Sequence, residues 1–177
     1  VIMVGEIRDA ETATIAVQAS ITGHLVLSTL HTLDAPSTIS RLRQMGLPDF
    51  MIGASLRLVI AQRLVRRICP HCRESYDASV DLDRMDRRWP GAISLPTTLT
   101  RGTGCEECKG TGYKGRVGIY EVLRITRPVA DLIFASEPEN AIREQALREG
   151  MITLLGEITR KIANGATTVS EALRVLE

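Results

Sequence analysis

The chain has 177 residues, enough for one ordinary domain or one domain with a small appendage. Hydrophobic residues make up 44%, which supplies a real core; a net charge of +1 and 3% aromatics give neither the electrostatic footprint nor the stacking platforms of a nucleic-acid binder. No run approaches 18 uncharged apolar residues, so no transmembrane segment is expected, and Glu6, Arg8 and Asp9 interrupt the first apolar run before it resembles a signal peptide.

The opening VIMV reads as a short buried strand. Gly5 frees the backbone, Glu6 stands at the strand's end, and Arg8-Asp9 lead into a helix over Ala10 to Ser20, with Ile15, Val17 and Ala19 among its candidate buried positions. That layout sets a carboxylate at the carboxyl edge of a sheet, where open α/β folds place ligands. It looks like the middle of an enzyme rather than its start. HLVLSTL, His24 to Leu30, is apolar and β-branched enough for a second strand. A helix is expected from Asp34-Ala35-Pro36 to about Met45, and another from Pro48 to about Ala61. QRLVRRIC then reads as a third strand. The alternation predicts an α/β fold with a mainly parallel sheet and crossovers over residues 1–68.

Residues 69–116 break that rhythm. They hold all four cysteines, a polar middle and the single Trp89, and read as an inserted module. From residue 117 to 177 a strand, VGIYEVLRI, precedes helices predicted at Val129–Ala135, Glu139–Arg148, Ile152–Ala163 and Val169–Leu176. Gly150 and Gly165 are plausible stops.

CPHC and CEEC, with Cys69, Cys72, Cys105 and Cys108, are separated by 32 residues. Each Cys-x-x-Cys turn presents two sulfurs to one ion, which suits tetrahedral Zn²⁺ in a structural role. His71, inside the first pair, is an alternative ligand. GTGYKG formally matches a dinucleotide fingerprint, but it follows a cysteine knuckle and precedes a strand, the wrong context.

On neighbouring parallel strands, Glu6 and His31 both emerge at the carboxyl edge, with Thr29 and Thr32 adding hydroxyls there. A carboxylate at that edge polarises an attacking water, and an imidazole stabilises charge on a phosphate. His24 falls near the opposite end of its strand. No G-x-x-x-x-G-K-[ST] occurs, so the residues present half a phosphate site without its cradle.

With these motifs the chain resembles the C-terminal part of type II secretion ATPases and the closely similar type IV pilus assembly ATPases. VIMVGEIRDAETA looks like their Walker B segment, ITGHLVLSTLHT is similar to their His box, and AQRLVRRICPHC with GCEECKGTGYKGRVGIYEVL resembles their four-cysteine module. Leu33 stands where the family commonly has Asn. The resemblance implies a RecA-like P-loop NTPase core with an inserted zinc module and a helical C-terminal region. It implies ATP with Mg²⁺ as the nucleotide, Glu6 as the catalytic glutamate that polarises the attacking water, His24 and His31 lining the nucleotide site or coupling it to the neighbouring subunit, and Arg8 and Thr29 in nucleotide or subunit contacts. It further implies zinc on Cys69, Cys72, Cys105 and Cys108, a homo-hexamer, and cytoplasmic work at the bacterial inner membrane through a platform protein and other secretion or pilus proteins. The family's Walker A loop is expected upstream of Val1. These residues alone are therefore expected to hydrolyse ATP negligibly.

Overall fold

A computed structural model describes residues 1–176. Its elements in order are β1 (Ile2–Met3), α1 (Ala10–Ile21), β2 (Val26–Leu27), α2 (Ser37–Gln44), α3 (Asp49–Ser55) and β3 (Leu58–Ile68). There follow β4 (Arg73–Asp77), α4 (Ser79–Arg88), β5 (Thr98–Gly102), a 3-10 turn (Glu106–Cys108) and β6 (Tyr113–Arg124). Four helices close the chain: α5 (Arg127–Phe134), α6 (Glu139–Arg148), α7 (Leu154–Ala163) and α8 (Val169–Val175). No helix among the described residues is long and apolar enough to cross a membrane. The chain divides into two compact units, Val1–Ala61 with Glu121–Met151, and Gln62–Tyr120 with the residues from Ile152 on.

In the first unit β1 and β2 pair in parallel, Ile2 opposite Val26 and Met3 opposite Leu27. The ladder continues past the strands, since the Ile7 N–H donates to Thr29 O at 2.9 Å. Helix α1 makes the crossover. Asp9 caps it, accepting from the Thr12 N–H at 2.8 Å and so satisfying one of the free donors of its first turn. The core gathers Ala13, Val17, Ile39, Leu42, Ile52, Leu123, Val129, Ile133 and Ile142. Gly53 lets α3 meet α5 closely: a Cβ there would lie 2.8 Å from the Phe134 ring.

In the second unit β4 and β5 pair antiparallel, from Arg73 opposite Gly102 to Asp77 opposite Thr98. Val65, Ile68, Met85, Leu99, Ile119, Ile158, Ile162, Val169 and Ala172 form its core. Helices α7 and α8 are capped by Thr153 and Thr168, whose hydroxyls accept from Gly156 and Glu171 N–H groups.

Several expectations need correction. The described strands form three two-stranded sheets in place of one mainly parallel sheet, and only a two-residue stretch of HLVLSTL is strand. The helix from Pro48 stops at Ser55, because Leu56 is already extended, and Val59 and Ile60 belong to β3. β-branched residues restrict χ1 against a helical turn and pack well on a pleated strand. Ile15 is exposed, and Ala13, Ala16 and Val17 are the buried face of α1. The polar middle of residues 69–116 folds into α4, anchored by the fully buried Met85.

Candidate active site and metal centre

Glu6 leaves β1 after Gly5, and the buried Ile7 behind it fixes the backbone on Thr29. The Thr29 hydroxyl adds a second tie, donating to Gly5 O at 2.8 Å. These bonds hold the segment that carries Glu6 against the segment that leads to His31. The His31 imidazole Nε2 lies 2.8 Å from Glu6 Oε1, and Arg8 Nε lies 2.6 Å from Oε2. Both carboxylate oxygens are thus engaged by nitrogen donors. Glu6 is only 21% exposed while His31 and Arg8 are 87% and 77% exposed, so the carboxylate lies beneath two solvent-facing polar side chains.

Glu6, Arg8, Thr29 and His31 are brought together; His24 is not. Its Nδ1 approaches Ala19 O at 3.2 Å and Thr22 Oγ1 at 3.4 Å, at the end of α1 and the start of β2. Thr32 lies beyond, with its hydroxyl on Asp34 O and Thr38 Oγ1 at 3.1 Å each.

Two residues that sequence reasoning missed hold the loop after His31. Glu121, 1% exposed, accepts from the Ala35 N–H at 2.8 Å, and Arg143 donates to Asp34 Oδ2 at 2.7 Å. Burial opposes ionisation of Asp34, but bonds from Ser37 and Arg143 outweigh it and hold the carboxyl below its usual range. A signal for Glu121 exists: it falls between Ile119 and Leu123 in the alternation of VGIYEVL, on the buried face of β6.

The second candidate centre lies in the second unit. The sulfurs of Cys69, Cys72, Cys105 and Cys108 all lie within 4.8 Å of one another, without His71. Three separations are 3.8, 3.8 and 3.7 Å. A tetrahedral ion with metal–sulfur bonds of about 2.3 Å requires sulfurs about 3.8 Å apart. Backbone N–H groups also point at the sulfurs: Gly104 at Cys72, and Cys105 and Gly112 at Cys108, at 3.2–3.3 Å. Burial opposes ionisation of Cys108, but donation from Cys105 and Gly112 brings its thiol down to about 6. Cys105 moves the other way, to about 11: a backbone bond at Cys108 favours its thiolate, but burial and the surrounding sulfurs prevail. A divalent cation resolves that conflict by accepting all four as thiolates. The donor set fits Zn²⁺: four thiolates would fill its tetrahedral shell and leave no open position for a reacting water.

Gly112 of GTGYKG serves this knuckle. Gly112 has φ +75°, its carbonyl accepts from the Cys69 N–H at 2.9 Å, and a Cβ on it would lie 2.5 Å from Gly102 O. Only a residue without a side chain fits that crossing of two backbones.

Comparison with known proteins agrees with this arrangement. A family profile described as "Type II/IV secretion system protein" matches residues 1–174. Type II secretion system protein E of Klebsiella pneumoniae is 48% identical over all of the chain, which covers 34% of that protein. The type IV pilus assembly ATPase TfpB of Acinetobacter baylyi is 42% identical over 99% of the chain, covering 30% of that protein. The chain thus spans about a third of the length of these relatives. Among solved structures, the Legionella pneumophila ATPase DotB matches 97% of this chain and 37% of its own at a TM-score of 0.63 and 23% identity, which shows the fold. The pilus retraction motor PilT, solved with ADP, matches at 0.62 and 24% over 97% of this chain and 38% of its own. The chain belongs to the type II/IV secretion system protein family.

Proposed function

We propose that these residues form the C-terminal part of a hexameric motor ATPase that drives pseudopilus assembly in type II secretion. The observation that carries this reading is Glu6, held between His31 and Arg8 at the carboxyl end of the parallel β1–β2 pair. The parallel pair with its α1 crossover supports a RecA-like core, and the fold likeness to DotB and PilT supports it further. Glu6 takes the proton of the water that attacks the γ-phosphate. His31 orients the carboxylate and presents its imidazole toward developing phosphate charge, while Arg8 fixes the other oxygen. Thr29 positions the strand end. His24 acts indirectly, through the turn that joins α1 to β2.

ATP with Mg²⁺ is the substrate. These 177 residues offer a base and an imidazole but no run of backbone N–H groups followed by Lys to cradle phosphates. Hydrolysis therefore belongs to the longer protein, and the isolated chain is inactive. The zinc module, residues 69–116, is structural. The assembly acts on the cytoplasmic side of the bacterial inner membrane through a platform protein and neighbouring secretion proteins. Relatives named for secretion and for pilus assembly both match over nearly the whole chain, at 48% and 42% identity, so a pilus assembly ATPase is the main alternative. A docking role for the zinc module is compatible with both.

The test is steady-state ATP hydrolysis by the longer protein. Replacing a general base lowers kcat by about 10²–10⁴-fold. Glu6→Gln is expected to do so with ATP affinity retained, and His31→Ala to cause a smaller loss. Unchanged kcat in Glu6→Gln would remove Glu6 from the chemistry.

A further inference from the structure

The second unit contains a cavity of about 520 Å³ bordered by Leu64, Arg66, Arg116 and Arg174. Two of these arginines are fixed by one buried carboxylate. Glu171, 0% exposed, accepts from the Arg66 N–H at 2.7 Å and from Arg66 Nε at 2.8 Å. It also accepts from Arg174 Nε and Nη2 at 2.8 and 2.6 Å. The Arg66 guanidinium lies 4.1 Å from the centre of the Tyr113 ring, whose hydroxyl meets Thr168 Oγ1 at 2.7 Å. Arg66 is therefore held on three sides, yet its terminal nitrogens make no hydrogen bond among the described residues. An ion triad alone accounts for this much.

Arg116 is what the triad leaves over. It projects from β6 to the same cavity and has no acidic partner among the described residues. Among the described residues, three guanidinium groups thus border one cavity with a single carboxylate bonded to them, an excess of two positive charges. Like charges brought together repel unless an anion joins them. Planar guanidinium forks match phosphoryl oxygens in pairs, and Arg66 and Arg174 are already oriented. A single carboxylate would engage one fork and leave the rest of the charge uncompensated. The volume lies in the range of about 300–1,000 Å³ common to small-ligand sites.

We propose that this cavity binds a small soluble phosphoryl anion of the size of pyrophosphate or a phosphate monoester. Arg116 closes the site with its whole guanidinium, Arg66 supplies its terminal nitrogens and Arg174 its remaining Nη1, both held in place by Glu171, and Leu64 gives an apolar wall. This site is independent of the hydrolysis reading, since none of its residues belongs to the Glu6 cluster.

The probe is inorganic pyrophosphate, titrated calorimetrically at low salt into the zinc-loaded 177-residue chain. Saturable binding with one site per chain is expected, and added salt should weaken it. Arg116→Ala should weaken it by about tenfold or more, as loss of a charge-assisted hydrogen bond does, with the melting temperature unchanged because Arg116 has no partner to lose among the described residues. Arg84→Ala, a surface arginine of α4 paired with Asp81, should leave binding as it is. Acetate should not compete. Absence of saturable binding at millimolar pyrophosphate, an Arg116→Ala affinity within twofold of the unaltered chain, or equal competition by acetate would each overturn the proposal.

Discussion

Buried carboxylates organise both units by reaching far along the chain. Glu121 meets Ala35, and Glu171 meets Arg66, across 86 and 105 residues. Burial alone would raise the pKa of Glu171, but bonds from Arg174 and Arg66 overcome it and bring the carboxyl from 4.5 down to about 2. The sign follows: a depressed folded pKa stabilises above the unfolded value, and that stability is lost as pH falls from about 4.5 through about 2. Taken at face value the difference is about 3 kcal/mol; the half-exposed guanidinium groups reduce it to about 1–2 kcal/mol. Glu171→Gln should therefore lower stability at neutral pH by that amount. The gap to the unaltered chain, measured by denaturant melts, should close below about pH 2. A gap that stayed constant with pH would mean the carboxylate charge contributes nothing. The alternation of β6 signals the burial of Glu121, but the partners of both carboxylates were not legible from sequence, because they lie 86 and 105 residues away. Glu6, His31 and the cysteines were legible, because strand ends and Cys-x-x-Cys spacing are local signals.

At the level of elements, helices with a clear apolar stripe were readable: α5 to α8 fall within two or three residues of their predicted bounds. The short polar strands β4 and β5 were not. RESYD and TLTRG have no apolar alternation, and their pairing is set by the knuckle that joins them to the cysteines. In that knuckle the Cys72 carbonyl accepts from the Thr103 N–H at 3.0 Å, and Gly102 crosses Gly112. Gly112→Ala should consequently disrupt the sulfur cluster, since a Cβ meets backbone 2.5 Å away at a φ of +75°. Gly91→Ala is the control, with φ +66° but open space around it. It should cost about 1 kcal/mol for the left-handed conformation alone. Zinc competition with a chromogenic chelator should show weakened retention in the first and near-normal retention in the second. Equal zinc affinity in both would show that the crossing does not hold the cluster together.

For the whole molecule, the division into two units makes zinc removal a selective perturbation. Structural zinc contributes about 10–16 kcal/mol in small zinc peptides. Here it would tie Cys69 and Cys72 to Cys105 and Cys108 within the second unit. Chelation should expose the amides of β4, β5 and the 3-10 turn to hydrogen exchange while α5 and α6 of the first unit stay protected. Uniform loss of protection would show that the two units fold as one. The α/β character and the groupings of the two candidate centres were visible in the sequence. The sheet arrangement was not, because strand partners depend on contacts that local patterns do not encode. The central claim concerns the chemical step at Glu6, and single-turnover hydrolysis in the longer protein reports that step apart from product release. With ATP and Mg²⁺ prebound, Glu6→Gln should retain unhydrolysed ATP and slow the step by about 10²-fold or more. Conversion to ADP at the rate of the unaltered protein would contradict the account.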